Sequence, residues 1–126
     1  MQPIVNGATK LLFIVGDPIA QVRSPLVYNP KILAAGKNCI LLPLLVPQNA
    51  FEETIQSIMR LGNLEGLIMT FPFKERILPY LQHISDDAAL IGAVNAVKKN
   101  ERGEWVGDIF DGMGMIRAVE ALGQSV

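Results

Sequence analysis

Lys74 and two carboxylates, Asp108 and Asp111, are the side chains whose types and settings suggest proton-transfer chemistry. Lys74 lies in "MTFPFKERILPYL" (69–81), directly after the apolar run "GLIMT" (66–70) and two residues past Pro72. Proline suits the first helical position, where its missing N–H has no intrahelical partner to lose. The spacing therefore predicts a helix opening at Pro72 with Lys74 in its first turn. Free N–H groups make that end of a helix positive, so the dipole opposes the lysine charge by a few tenths to about 1 kcal/mol. A cation in that position either pairs with a surface acid such as Glu75 or works as an acid/base group beside a carboxylate from elsewhere in the chain. The stretch "VGDIFDGMGM" (106–115) offers two carboxylates, Asp108 and Asp111, at the mouth of a C-terminal helical segment. Capping of that helix accounts for one of them, and the other is available to orient Lys74.

Ser24 and Pro25, in "GDPIAQVRSPL" (16–26), form a helix-start signature: the serine hydroxyl caps free N–H groups and the proline takes the first helical position. Pro30 then removes one hydrogen bond and should kink or restart the same helix. Gly112 and Gly114 look like a fragment of a dinucleotide loop, but the full G-x-G-x-x-G is absent. His83 has no neighbouring acid or serine with which to build a hydrolytic unit and reads as a histidine at the end of the short helix after Lys74.

Parallel strands covered on both faces must position these groups. "KLLFIVG" (10–16), "CILLPLL" (39–45) and "GLIMT" (66–70) are short apolar runs of that kind, each followed by helical patterning. Phe51, Ile55, Ile58 and Met59 paint one face of a helix over 47–61 that stops at Gly62, and Met115, Ile116, Val119 and Leu122 do the same before Gly123. "AVNAVKKNERGEWVGD" (93–108) reads as two short strands joined by a turn around 100–103, with Trp105 packing in the second. Strands alternating with helices predict an α/β three-layer sandwich: a mostly parallel sheet with helices on both faces. Ligands of such sheets settle on the loops beyond the carboxyl ends of the strands, where Ser24, Lys74 and Asp111 fall.

At 126 residues the chain has the length of one domain, short for an enzyme that holds both a substrate and a nucleotide cofactor. Half of the residues are hydrophobic and 18% are charged, with 11 basic against 12 acidic side chains; that balance predicts neither a nucleic-acid partner nor a disordered chain. No apolar run reaches the ~18 residues of a membrane span and the start lacks a signal-peptide core, so the expected location is cytoplasmic. Cys39 has no partner for a disulfide or a zinc site and is expected to be a buried thiol.

"SPL" (24–26), "TFPFK" (70–74), "GAVN" (92–95) and "GDIFDGMG" (107–114), in that order, resemble the substrate-binding N-terminal domain of shikimate dehydrogenases. The resemblance extends over residues 11–123. It implies NADP-dependent oxidation and reduction of a cyclohexene alcohol, with the cofactor on a separate Rossmann domain absent from this chain. It further implies that Lys74 and Asp111 are the catalytic pair, that Thr70 and Asn95 bind ring hydroxyls, and that Ser24 binds the substrate carboxylate. Where the family usually has serine, asparagine and threonine, this chain has Val22, Ile68 and Phe110, which implies a greasier pocket and a related or less hydroxylated hydroxy acid as substrate. Arg23 is the candidate to replace the missing serine by pairing with the carboxylate. The competing expectation is a stand-alone small-molecule sensor or partner subunit without dehydrogenase activity. Either reading admits a homodimer.

Overall fold

The computed structural model describes residues 5–121. Its six strands lie in the order β2-β1-β3-β5-β6-β4. β1 (Lys10–Gly16) pairs in parallel with β2 (Cys39–Leu45) and β3 (Leu64–Met69); β5 (Ala96–Lys99) runs antiparallel to β3 and to β6 (Trp105–Asp108); and β4 (His83–Ile84) is parallel to β6. Only β5 is reversed, so the mostly parallel sheet expected from the apolar runs is present. Side chains alternate across the pleat. Phe13 and Val15 face a core shared with Phe51 and Ile55 of α2 (Phe51–Ile58) and Ala88 of α3 (Asp86–Ile91). Leu12 and Ile14 face the other core, with Tyr28 and Ile32 of α1 (Ser24–Ala34) and Met115 and Val119 of α4 (Gly112–Ala121). Each fully buried large apolar side chain contributes about 1.5–3 kcal/mol, so a sheet loaded on both faces holds helices on both. No helix among the described residues is long and apolar enough to cross a membrane.

The outer edge of β2 is blocked to further pairing at its middle. The Asn29 side chain, reaching from α1, accepts from the Leu41 N–H at 2.8 Å and donates to the Leu41 carbonyl at 3.0 Å. Pro43 has the same parity along the strand and has no N–H to offer there.

Several expectations are corrected. Residues 69–81 form no α-helix: one bond from the Ile77 N–H to the Phe73 carbonyl (3.2 Å) gives way to tighter bonds, Leu78 to Glu75 (3.1 Å) and Tyr80 to Ile77 (3.0 Å), and a 3-10 turn over Leu78–Tyr80. Pro79 explains this, because it has no N–H to continue the helix and disfavours helical backbone at Leu78. Lys74 consequently faces no helix dipole. His83 lies in β4, not at a helix end, and its Nε2 sits 3.3 Å from the Glu104 carboxylate, so it does have a neighbouring acid. Helix α1 runs through Pro30 without interruption. The segment expected as one helix over 47–61 is a 3-10 turn (Gln48–Ala50) followed by the shorter α2. Cys39 is half-buried at the start of an edge strand; burial, reinforced by the Glu65 carboxylate, pushes its thiol up to about 11. Leu122 and Gly123 lie outside the described residues.

Candidate active site

Lys74 is aimed by the residue before it. Phe73 is completely buried and stacks on Phe51 of α2 with ring centroids 4.2 Å apart, which leaves the next side chain exposed. The Arg76 guanidinium lies over both rings, 5.0 and 5.4 Å from their centroids, and pairs with Glu52 at 2.8 Å, holding that carboxyl below the usual range. The loop carrying Lys74 is thus fastened to α2 by stacking and charge together. From the other side, the Val94 N–H donates to the Lys74 carbonyl at 3.0 Å, tying it to the "GAVN" segment.

Thr70 follows β3, and its N–H donates to the Val15 carbonyl at 3.0 Å. Gly16 permits that approach: a Cβ there would collide with the Thr70 methyl and lie 3.1 Å from the Phe71 carbonyl oxygen. Gly16→Ala should therefore displace Thr70 and destabilise the domain by about 1–3 kcal/mol, the usual scale of overpacking. Thermal unfolding measures this, and an unchanged Tm would show that the contact is slack.

Of the two carboxylates before α4, Asp108 is committed to structure. Its Oδ1 accepts from the Ser85 hydroxyl at 2.6 Å and from the Ile109 N–H at 2.7 Å. Asp111 is the helix cap, its Oδ1 accepting from the Gly114 N–H at 2.7 Å. That bond orients the carboxylate without engaging Oδ2. Asn95, after α3 and before β5, places its amide against the backbone of Phe110, donating at 2.7 Å and accepting at 2.9 Å.

The consequence is a cleft of about 220 Å³ lined by Ser24, Thr70, Lys74, Asn95 and Asp111, with Ile68 and Phe110 supplying apolar wall. Lys74 and Asp111 share it without pairing; the ion pair among the described residues is Arg76–Glu52, and the His83 ring lies 3.3 Å from the Glu104 carboxylate. Ser24 is not the cap anticipated: the cap position is Arg23, without a side-chain bond, and Ser24 is the first helical residue. Its hydroxyl is therefore left for the cleft. Arg23 is exposed and is not part of the cleft lining. Val22 packs against the α1/α4 core, so of the three apolar replacements only Ile68 and Phe110 line the cleft. Sequence reasoning missed Tyr28, which forms part of the floor. Burial raises its phenol above the ordinary value, keeping it a neutral hydroxyl. Its position one turn after Ser24, on the same side of α1, was the available signal.

The N-terminus of α4, where a pyrophosphate would seat, is already capped by the negative Asp111, which would repel it. Fold and cleft together define an α/β substrate-holding domain with a lysine and a carboxylate at the carboxyl end of its sheet. The family model of the shikimate dehydrogenase substrate binding domain matches residues 14–97, and the chain belongs to that family. An NADP(+) shikimate dehydrogenase of Microcystis aeruginosa is 40% identical over 119 residues, covering 94% of this chain and 41% of that protein. The crystal structure of shikimate dehydrogenase from Aquifex aeolicus superposes with a TM-score of 0.81 at 30% identity, over 96% of this chain and 45% of that one. The shikimate 5-dehydrogenase of Listeria monocytogenes, solved with shikimate and NAD, gives 0.80 at 30% identity over 98% and 42%. The chain spans about two fifths of the length of the curated relatives it matches.

Proposed function

We propose that this chain is the substrate-binding and catalytic-pair domain of a shikimate dehydrogenase-like oxidoreductase that interconverts a cyclic hydroxy acid and its ketone. The observation that carries this reading is the convergence of Lys74 and Asp111 on one cleft with Ser24, Thr70 and Asn95. NADP, the cofactor named for the relatives, is assigned to a Rossmann domain outside these residues, where it would supply the redox chemistry. Lys74 Nζ, once neutral, takes the proton of the reacting hydroxyl during oxidation and returns it from the ammonium during reduction. Asp111, held through Oδ1, accepts the hydroxyl hydrogen through Oδ2 in the resting complex, where Lys74 is an ammonium donating to the hydroxyl oxygen, and stabilises that ammonium across the cleft. Ser24 binds the carboxylate, while Thr70 and the remaining amide hydrogen of Asn95 meet ring hydroxyls. Nicotinamide chemistry and a lone cysteine suit a cytoplasmic enzyme.

The test is NADP reduction by the complete two-domain polypeptide supplied with shikimate, quinate and less hydroxylated analogues. Turnover of at least one is expected, and turnover of none would favour a sensor or partner subunit. Arg23 precedes Ser24 in sequence but does not line the cleft, so pairing with the substrate carboxylate would be at its outer edge. Arg23→Ala should raise KM for acidic substrates roughly tenfold and leave kcat alone, the signature of lost uniform binding. An unchanged KM removes Arg23 from the site.

A further inference from the structure

Asn95 faces the cleft, yet both ends of its amide are bound to a single residue of the protein. Nδ2 donates to the Phe110 carbonyl at 2.7 Å and Oδ1 accepts from the Phe110 N–H at 2.9 Å. Only one orientation of the amide satisfies both bonds, so nitrogen and oxygen are fixed by their partners. The Asn95 backbone is equally constrained, its N–H donating to the Asp108 carbonyl at 3.0 Å and its carbonyl accepting from the Met69 N–H at 2.9 Å. An amide that engages the N–H and C=O of one residue acts like a neighbouring strand and sets both the height and the rotation of that peptide. Phe110 leads directly into Asp111, whose carboxylate is already turned by the Gly114 N–H. Side-chain bonds hold the segment from Asp108 to Gly114 at Asp108 through Ser85, at Phe110 through Asn95 and at Asp111 through the Gly114 N–H, beside backbone bonds to the Asp108 and Asp111 carbonyls from the N–H groups of Asn95 and Met115. No element of secondary structure covers Ile109–Asp111, and among the described residues the hydrogen-bond partner of the Phe110 backbone is Asn95.

We propose that Asn95 is a positioning residue that staples Phe110 and thereby fixes the Asp111 carboxylate, with substrate recognition as its lesser role. The staple is read from the fold alone; its effect on turnover rests on the proposed dehydrogenase function. Amide hydrogen exchange followed by NMR on the 126-residue chain tests the staple directly. Asn95→Ala should speed exchange at Phe110 and Gly114 by roughly tenfold or more, while the amides of β1 are unchanged. Asn95→Asp, which keeps the acceptor for the Phe110 N–H but turns a carboxylate oxygen toward the Phe110 carbonyl, should speed exchange at Phe110 and Gly114 at least as much as Asn95→Ala. Unchanged rates at Phe110 and Gly114, or an increase shared equally by β1, would overturn the staple. In the complete polypeptide, Asn95→Ala should lower kcat by the same factor for substrates with and without the ring hydroxyl nearest Asn95. A loss confined to the hydroxylated substrate would make Asn95 a binding residue instead. If the exchange result holds while the parent polypeptide oxidises no hydroxy acid, the functional reading fails and the staple stands.

Discussion

Lys74→Ala in the complete enzyme is expected to lower kcat by at least ~100-fold while KM changes little, because general acid/base help is made in the transition state and not in the ground state. The structure leaves the side chain little structural work: it is exposed, forms no ion pair, and the anchoring of its loop is done by Phe73 and Arg76. The variant should therefore fold with an unaltered Tm. Steady-state kinetics with matched circular dichroism would separate a catalytic loss from a folding one. A kcat within a few-fold of the parent would leave Lys74 as a surface cation.

A preference for less hydroxylated rings over shikimate is the second large effect. Ile68 and Phe110 line the cleft and cannot hydrogen-bond. A substrate hydroxyl buried against either loses about 1–3 kcal/mol, so two unsatisfied groups cost about 2–6 kcal/mol, or roughly 30-fold to 10⁴-fold in kcat/KM. Val22 is excluded from this sum because it packs into the α1/α4 core. Measured kcat/KM values across a panel of deoxy analogues should favour the analogue lacking the hydroxyl that meets Phe110. Phe110→Thr should reverse part of that preference, since the backbone of residue 110 is held by Asn95 whatever its side chain. Shikimate emerging as the best substrate of the parent enzyme would mean that other groups satisfy its hydroxyls.

The sheet could be read from the chain because its strands are continuous apolar runs, and β1 and β2 begin and end where their residues change character. The segment over 69–81 could not. Pro72 imitates a helix start, and the decisive residue is Pro79, seven positions later, which blocks the bonds a helix would need. Helix α3 carried its signals in Ser85, Asp86, Asp87 and Gly92, the last at φ 80°. It is only six residues long, too short to show a periodic face. The site itself was partly legible. Lys74 and a pair of candidate carboxylates stood out by type and setting, and Lys74 and Asp111 both line one cleft. Long-range contacts hid the rest: the choice between Asp108 and Asp111 depends on Ser85 and Gly114, and the state of the Asn95 amide on Phe110. The Ser24 hydroxyl was misassigned because a one-residue shift of the helix start exchanges a cap for a cleft-facing group.

The most direct measurement is a crystal structure of the complete protein with its hydroxy acid bound. Lys74 Nζ and an Asp111 carboxylate oxygen should both lie within about 3.2 Å of one and the same hydroxyl oxygen of the ligand. A ligand whose reacting hydroxyl touches neither group, or a ligand seated away from this cleft, would contradict the assignment of the pair.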